Sequence, residues 1–552
     1  MEDANCVSLN HKYKLIAFGR KNSEGIVYSV DEMTGGLVVS HRLKLPTRDY
    51  PGCPGPVSCM KWTPDGTALA IAWERGGFSL WSTFGAMIMC SLCWDYGISV
   101  SDPVEQNPLC IKSLDWSAEG YQMWIINSTK KSQKIVDPEF MPFPEEFNKD
   151  DEKTKPPNPL RNKALVLQFV KSPSSVNPYM TKQDNIYLQG EDQITLNISH
   201  RQSNFAQNNA RKASSISNSS LVFGNENSKN SNGLASGSKQ WTTIPIPHNY
   251  ISSSWPIRYT AMDDASEHIA VAGRTGFAHY SISMRKWRLF GNETQEKDFI
   301  VTGGILWWRD HIVMGCYNLA ALHDEIRLYP RAEKLDNGFA KIFKVDAQVL
   351  LLNLLNDQLV VFCADNIINV YDLTMPDSVT KPMMPEINKV KTFDASRIHG
   401  FSFHPACVVL VALSNLKTET TRGRDSRELS PATTAGGQES SLILNICGRV
   451  VMLQSETQRL RHGSQDRSDS PQMVIPTVLA SCCETIWFPR TTNNDKPHLT
   501  ASLWLYCGAH GMRVWLPVFP REGDHGHTFM SKRIMLHFPL EKFYPLGTQY
   551  YK

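Results

Sequence analysis

Apolar residues fall two apart from Val57 to Trp62, crowd together from Ala68 to Trp73, and resume over Phe78-Ser79-Leu80-Trp81. Alternation marks a strand with one buried face, and a short unbroken run between turn signals fits a strand covered on both. Pro64-Asp65-Gly66 supplies the first turn, because proline presets its own φ and glycine accepts a positive one. Glu74-Arg75-Gly76-Gly77 supplies the second. The stretch therefore predicts three antiparallel strands, with Trp62 and Trp81 in a core, Asp65 in a turn and Gly76-Gly77 at a hairpin tip.

The same cadence recurs. Tyr13 to Gly19 is followed by Gly25 to Val30, Leu114 to Gly120 by Tyr121 to Ile126, and Glu267 to Gly273 by Phe277 to Tyr280. Further units run over Asp310 to Cys316, Asp357 to Tyr371, Phe403 to Leu413 and Leu503 to Trp515. Where no insert intervenes the period is about 40–55 residues, the spacing of four-stranded propeller blades. Each such sheet has an apolar face it cannot cover alone, and radial stacking covers it. Helical periodicity of comparable length is scarce. The predicted fold class is all-β: WD-type β-propeller repeats, with a partial first propeller over 1–170 and a second over 171–552.

Three low-complexity inserts interrupt the second unit, near 199–240, 417–440 and 455–472. They are rich in Ser, Asn, Gly and charge, so burial cannot offset their ordering entropy. A further Pro-, Glu- and Lys-rich loop spans 137–162. The inserts carry candidate phosphorylation sites at Ser214, after Arg211-Lys212-Ala213, and at Ser430 and Ser470, each before a proline.

Composition narrows the function classes. The 552 residues are 41% hydrophobic and 20% charged, enough for two to four domains with cores of their own. Net charge is +3, so no broad basic surface for a nucleic-acid partner is expected. The 13 cysteines form no framework, and no apolar leader follows Met1, which points to a reducing, cytosolic setting. The longest apolar run, Val349 to Cys363, contains Asn353, Asn356 and Asp357 and falls short of the roughly 20 residues of a membrane span.

Candidate chemistry is sparse. Cys90-Ser91-Leu92-Cys93 has half the ligands a zinc site needs, and Cys482-Cys483 would face opposite sides of a strand. Asp524-His525-Gly526-His527 lacks further ligands. Phosphate loops, GxSxG elbows and HExxH pairs do not occur in the sequence. Catalytic, cofactor-binding and metal residues are therefore none, and cofactors none. The sequons at Asn127 and Asn292 are expected to stay bare. Trp307-Trp308 are candidate partner-binding aromatics, with core packing the preferred role for both.

Several longer runs carry a resemblance. They include Asn10 to Gly19, Trp81 to Ala86, Leu188-Gln189-Gly190-Glu191-Asp192 and Trp255-Pro256-Ile257-Arg258. Gly276 to Ser281, Phe290-Gly291-Asn292, Ile300 to Gly304 and Gly511 to Pro517 complete the set. Through nearly its whole length outside the inserts, the chain resembles the ribosome-control (Ric) family. That family is the larger subunit of the two-subunit nucleotide exchange factor for the Golgi Rab GTPase. The resemblance implies tandem propellers followed by a helical solenoid, and two partners, an arrestin-like smaller subunit and the Golgi Rab. It implies work in endosome-to-Golgi retrograde transport, in the cytosol and at the peripheral Golgi membrane. By the same resemblance the chain is expected to start partway through the first propeller and to stop before the solenoid. A sheet face is then expected to lie uncovered. The leading reading is a scaffold subunit without hydrolytic activity, active in exchange only within a complex. A general WD-repeat adaptor in membrane traffic is the alternative, and a propeller hydrolase is the third.

Overall fold

A computed structural model describes residues 3–31, 34–46, 54–91, 111–127, 164–182, 186–197, 241–376, 384–414, 441–453, 476–488, 502–516, 532–536 and 543–551. The three inserts, Ser214, Ser430, Ser470, Cys93 and the Asp524–His527 run lie outside the described residues.

Among the described residues eight antiparallel sheets follow one another along the chain, seven of four strands and one of seven. The second sheet shows why. Val57–Trp62, Ala68–Trp73, Phe78–Ser82 and Met87–Cys90 form a meander. Its turns close at Gly66, Gly76, Gly77 and Gly85, all at positive φ, where a side chain is disfavoured. Ala68–Trp73 is buried throughout, and alternation sorts it between two neighbours. Leu69, Ile71 and Trp73 pack with Leu15, Ala17 and Val27 of the first sheet. Ala68, Ala70 and Ala72 pack with Leu114, Met123 and Ile125 of the third.

The arrangement repeats down the chain. The fourth sheet (Tyr259–Met262 to Lys286–Arg288) shares a core with the fifth (Phe299–Trp308 to Lys341–Val345). The fifth shares another with the sixth (Val349–Leu355 to Glu386–Asp394). The sixth packs on the seventh (Val408–Ser414 to Thr477–Ala480), and the seventh on the eighth (Thr485–Trp487 to Lys532–Leu536). The first strands of the first three sheets neighbour one another, as do those of the fourth to seventh. First strands inward and fourth strands outward is the radial order of propeller blades.

Two features were not legible in the pattern. The third sheet begins with Ile111–Trp116, Gln122–Asn127 and Ala164–Lys171, and it continues through Tyr187–Gln189, Gln193–Asn197 and Trp241–Pro245. The two halves are joined at one position, Lys171 opposite Gln189. The free edge of Ala164–Lys171 is paired by Phe543–Tyr551, in register from Ala164↔Tyr551 to Lys171↔Phe543. Among the described residues helices are short, the longest being His248–Ser254, and none is long and apolar enough to cross a membrane. One local expectation needs correction. Cys482-Cys483 lie in the bend between Thr477–Ala480 and Thr485–Trp487, not on a strand. The Phe403 to Leu413 unit contains a 3-10 turn, Pro405–Cys407, before the strand Val408–Ser414.

Candidate functional site

Three constructions give this fold a shape beyond stacked sheets. The first is a hub. After Lys171 the chain makes one helical turn, Pro173–Val176, and then crosses the first strands of later sheets. Asn177 Nδ2 donates to Thr260 O of the fourth sheet at 2.5 Å. Tyr179 lies against Gly304 of the fifth, where an added Cβ would come within 2.8 Å of the phenol oxygen. Asn353 Nδ2 of the sixth donates to Tyr179 O and to Val411 O of the seventh, both at 3.1 Å. Thr181 Oγ1 donates to Asn353 Oδ1 at 3.1 Å, and Thr181 O accepts from Phe488 N at 3.2 Å. One short segment thus satisfies polar groups on several sheets where their first strands converge.

The second construction is a seam between the early and late sheets. The turn after Phe78–Ser82 projects Phe84 onto the seventh and eighth. Phe84 N donates to Glu484 Oε1 at 2.9 Å, and Phe84 O accepts from Ala509 N at 3.0 Å. Its ring meets Tyr13 edge-on at 5.7 Å and lies over Gly448, where any Cβ would come within 2.2 Å of it. His41 completes the wall, 6.3 Å from the same ring. Burial, with His510 nearby, lowers the His41 pKa to about 4, so the ring is neutral at physiological pH.

The third is an ion pair. Lys171 Nζ meets Asp65 Oδ2 at 2.9 Å, donates to Glu119 O at 2.6 Å and sits 4.8 Å from the Tyr121 ring centre. Asp65 also accepts from Thr63 Oγ1 at 2.6 Å and Thr67 N at 3.0 Å. Burial pushes its carboxyl up, but the Lys171 ammonium and these donors outweigh it and hold the group well below the usual carboxylate range. Asp65 is a turn residue, as its sequence context predicts, and also the anchor of a contact between two sheets.

The remaining candidates divide. Trp307 and Trp308 are both buried, facing opposite ways into different cores. Trp307 Nε1 donates to Ala261 O at 2.9 Å and Trp308 Nε1 to Asp357 Oδ1 at 2.8 Å. Cys90 and Cys483 are buried, and among the described residues no three His, Cys, Asp or Glu side chains gather as a metal site. The exposed apolar surface lies elsewhere. On the first sheet Val7, Leu9, Leu37, Val38 and Val39 are exposed, Val38 to 60%. Beside them a hollow of about 280 Å³ is lined by Phe18, Ile26 and Tyr28 and rimmed by Asp3, Arg20 and Arg42. On the third sheet Trp124 and Ile126 point outward while Met123 and Ile125 point inward. Such faces suit binding of other proteins rather than chemistry on a small molecule.

Comparison with known proteins follows the same line. Residues 216–552 match the family model described as RIC1 second beta propeller domain. Guanine nucleotide exchange factor subunit RIC1 of Homo sapiens is 36% identical over 561 aligned positions, covering 99% of this chain and 37% of the relative. The Mus musculus subunit is also 36% identical, with the same shares covered. The Caenorhabditis elegans subunit R06F6.8 is 26% identical, over 99% of this chain and 35% of its own length. The chain therefore spans little more than a third of the length of these relatives.

Proposed function

The chain belongs to the RIC1 family of guanine nucleotide exchange factor subunits, and from that premise we propose that it is a propeller scaffold in an exchange factor complex for a Golgi Rab GTPase. In this reading residues 1–170 are the last blades of one propeller and 171–552 a second. The scaffold holds an arrestin-like smaller subunit and presents the Rab at the cytosolic face of Golgi membranes, in retrograde transport from endosomes. The observation that carries the proposal is 36% identity sustained across 99% of the chain with exchange factor subunits.

Exchange needs no nucleophile or general base. It needs a surface that binds the nucleotide-poor GTPase better than the loaded one, because only differential affinity shifts the population. Stacked sheets pinned by a hub and a seam present loops and edges in fixed relation, which is what such selection demands. The test is release of a fluorescent GDP analogue from the Golgi Rab. Release is expected to accelerate when this chain and the smaller subunit are added together. No acceleration, with the full-length human subunit active under the same conditions, refutes the proposal for this chain.

A further inference from the structure

Cys407 and Cys447 meet at the end of the seventh sheet. Cys407 closes the 3-10 turn ahead of Val408–Ser414. Cys447 occupies the two-residue turn between Ser441–Ile446 and Arg449–Leu453. Cys447 N donates to Cys407 O at 3.0 Å, so the two backbones are pinned opposite each other. The two thiols act on each other electrostatically, and the Lys14 ammonium of the first sheet's hairpin acts on Cys407.

The turn itself is unusual in residue type. Cys447 has φ 50° and Gly448 φ 88°, the two positive angles of a tight hairpin turn that favours Asn-Gly or Asp-Gly. A cysteine held there is conformationally costly, and such positions are found where the side chain is used. Gly448, next in sequence, carries the ring of Phe84. The dithiol therefore sits in the seam, with its cation supplied from a different sheet.

We propose that Cys407 and Cys447 form a reactive dithiol that a hydroperoxide converts to an intrachain disulfide, with Lys14 setting the reactivity from across the seam. The Cys407 thiolate attacks the terminal peroxide oxygen. A sulfur–oxygen bond forms, the oxygen–oxygen bond breaks, and the departing alkoxide takes a proton from water. The Cys447 sulfur then attacks the sulfenic sulfur. The disulfide forms, the sulfur–oxygen bond breaks, and the hydroxyl leaves as water with the Cys447 proton. Two electrons pass from the thiol pair to one hydroperoxide, giving an alcohol (water, from hydrogen peroxide) and a second water.

The electrostatics are consistent with these roles. The neighbouring Cys447 thiol lowers the Cys407 pKa against the effect of burial, with Lys14 and His404 adding to it. The Cys447 thiol is pushed up in turn by Cys407. Elsewhere burial raises the thiols, Cys363 to about 12 and Cys483 well above its ordinary value, and a buried neutral thiol reacts slowly.

The test uses the whole chain, limiting hydrogen peroxide and peptide mapping without reduction. The Cys407–Cys447 cross-link is expected before any oxidation of Cys316 or Cys363. Lys14→Met is expected to slow its formation about tenfold at neutral pH, by lowering the thiolate fraction. Cys447→Ser is expected to leave a sulfenic acid on Cys407 that dimedone traps. Oxidation of Cys407 and Cys447 no faster than of Cys316 and Cys363 in the unmodified chain overturns the proposal without any variant. An unchanged rate in Lys14→Met removes the role of the cation.

Discussion

Asp65 shows what one residue does in this fold. Its carboxylate closes a turn through Thr63 and Thr67 and meets an ammonium 106 residues away. The Lys171 side chain is 4% exposed and that of Asp65 32%, so the two halves of the pair are not equivalent. Asp65→Asn strands a buried cation, and Lys171→Met leaves a carboxylate that water and three turn donors still solvate. Removal of one partner of a buried pair costs about 3–5 kcal/mol, and partial exposure of Asp65 lowers that. Asp65→Asn is therefore expected to lower the urea midpoint more than Lys171→Met; the reverse order would contradict this account of the pair. His279 is a second such case. It is 1% exposed with neither ring nitrogen partnered among the described residues. Burial, then the charges of Arg288, His268 and Arg331, lower its pKa to about 3. A depressed histidine is neutral when folded and protonates only when unfolded. Its contribution is intact above the unfolded value of about 6.5 and is lost as pH falls from there toward 3, with His41 adding a loss between 6.5 and 4. His279→Phe is expected to flatten stability against pH over that range without lowering it at pH 7, since an apolar group of like shape spares an unsatisfied polar one. Equilibrium unfolding at several pH values measures both. The turn role of Asp65 was legible in Pro64-Asp65-Gly66; its partner was not, because nothing local to Lys171 announces a contact so far along the chain.

Among elements, the strands were legible and their long-range partners were not. Val57–Trp62 and Ala68–Trp73 were predicted with their boundaries intact, because alternation and turn chemistry are local. The hub was invisible. Pro173 to Thr181 has the composition of a connecting loop, and its value lies in carbonyls and amides that meet Thr260, Asn353 and Phe488. The pairing of Phe543–Tyr551 on Ala164–Lys171 was equally hidden, since an edge strand does not declare which edge it completes. Asn353→Ala deletes both donations that tie Tyr179 to Val411 and leaves carbonyls unpaired. A loss of about 2–3 kcal/mol is expected, with earlier proteolysis near residue 180; unchanged cleavage there would contradict a hub. Phe84→Ala empties the seam and is expected to cost about 3–5 kcal/mol. Gly448→Ala collides with the ring and is strained at φ 88°. The collision vanishes in the double variant and the strain does not. A double-mutant cycle by chemical denaturation should therefore give less than the sum of the two losses, and strict additivity would mean that ring and glycine do not touch.

For the whole molecule the repeat itself carried the fold. Sheets that cannot cover their own faces are expected to stack, and each neighbouring pair described here shares a core. The family was legible in long runs such as Gly511 to Pro517 rather than in chemistry, since the sequence carries no phosphate-loop, GxSxG or HExxH motif. Partner surfaces were not legible. Trp307 and Trp308, the most conspicuous aromatics in the sequence, serve two cores, and the exposed apolar residues include plain valines and leucines on the first sheet beside Trp124 and Ile126 on the third. The measurement that bears most directly on the scaffold reading is size-exclusion chromatography of this chain co-expressed with the arrestin-like subunit, beside the full-length human subunit as control. Co-elution of the two proteins, with nucleotide-free Golgi Rab joining the peak and GDP-loaded Rab excluded, is the predicted result. Separate elution of the chain, when the control carries both partners, would contradict it.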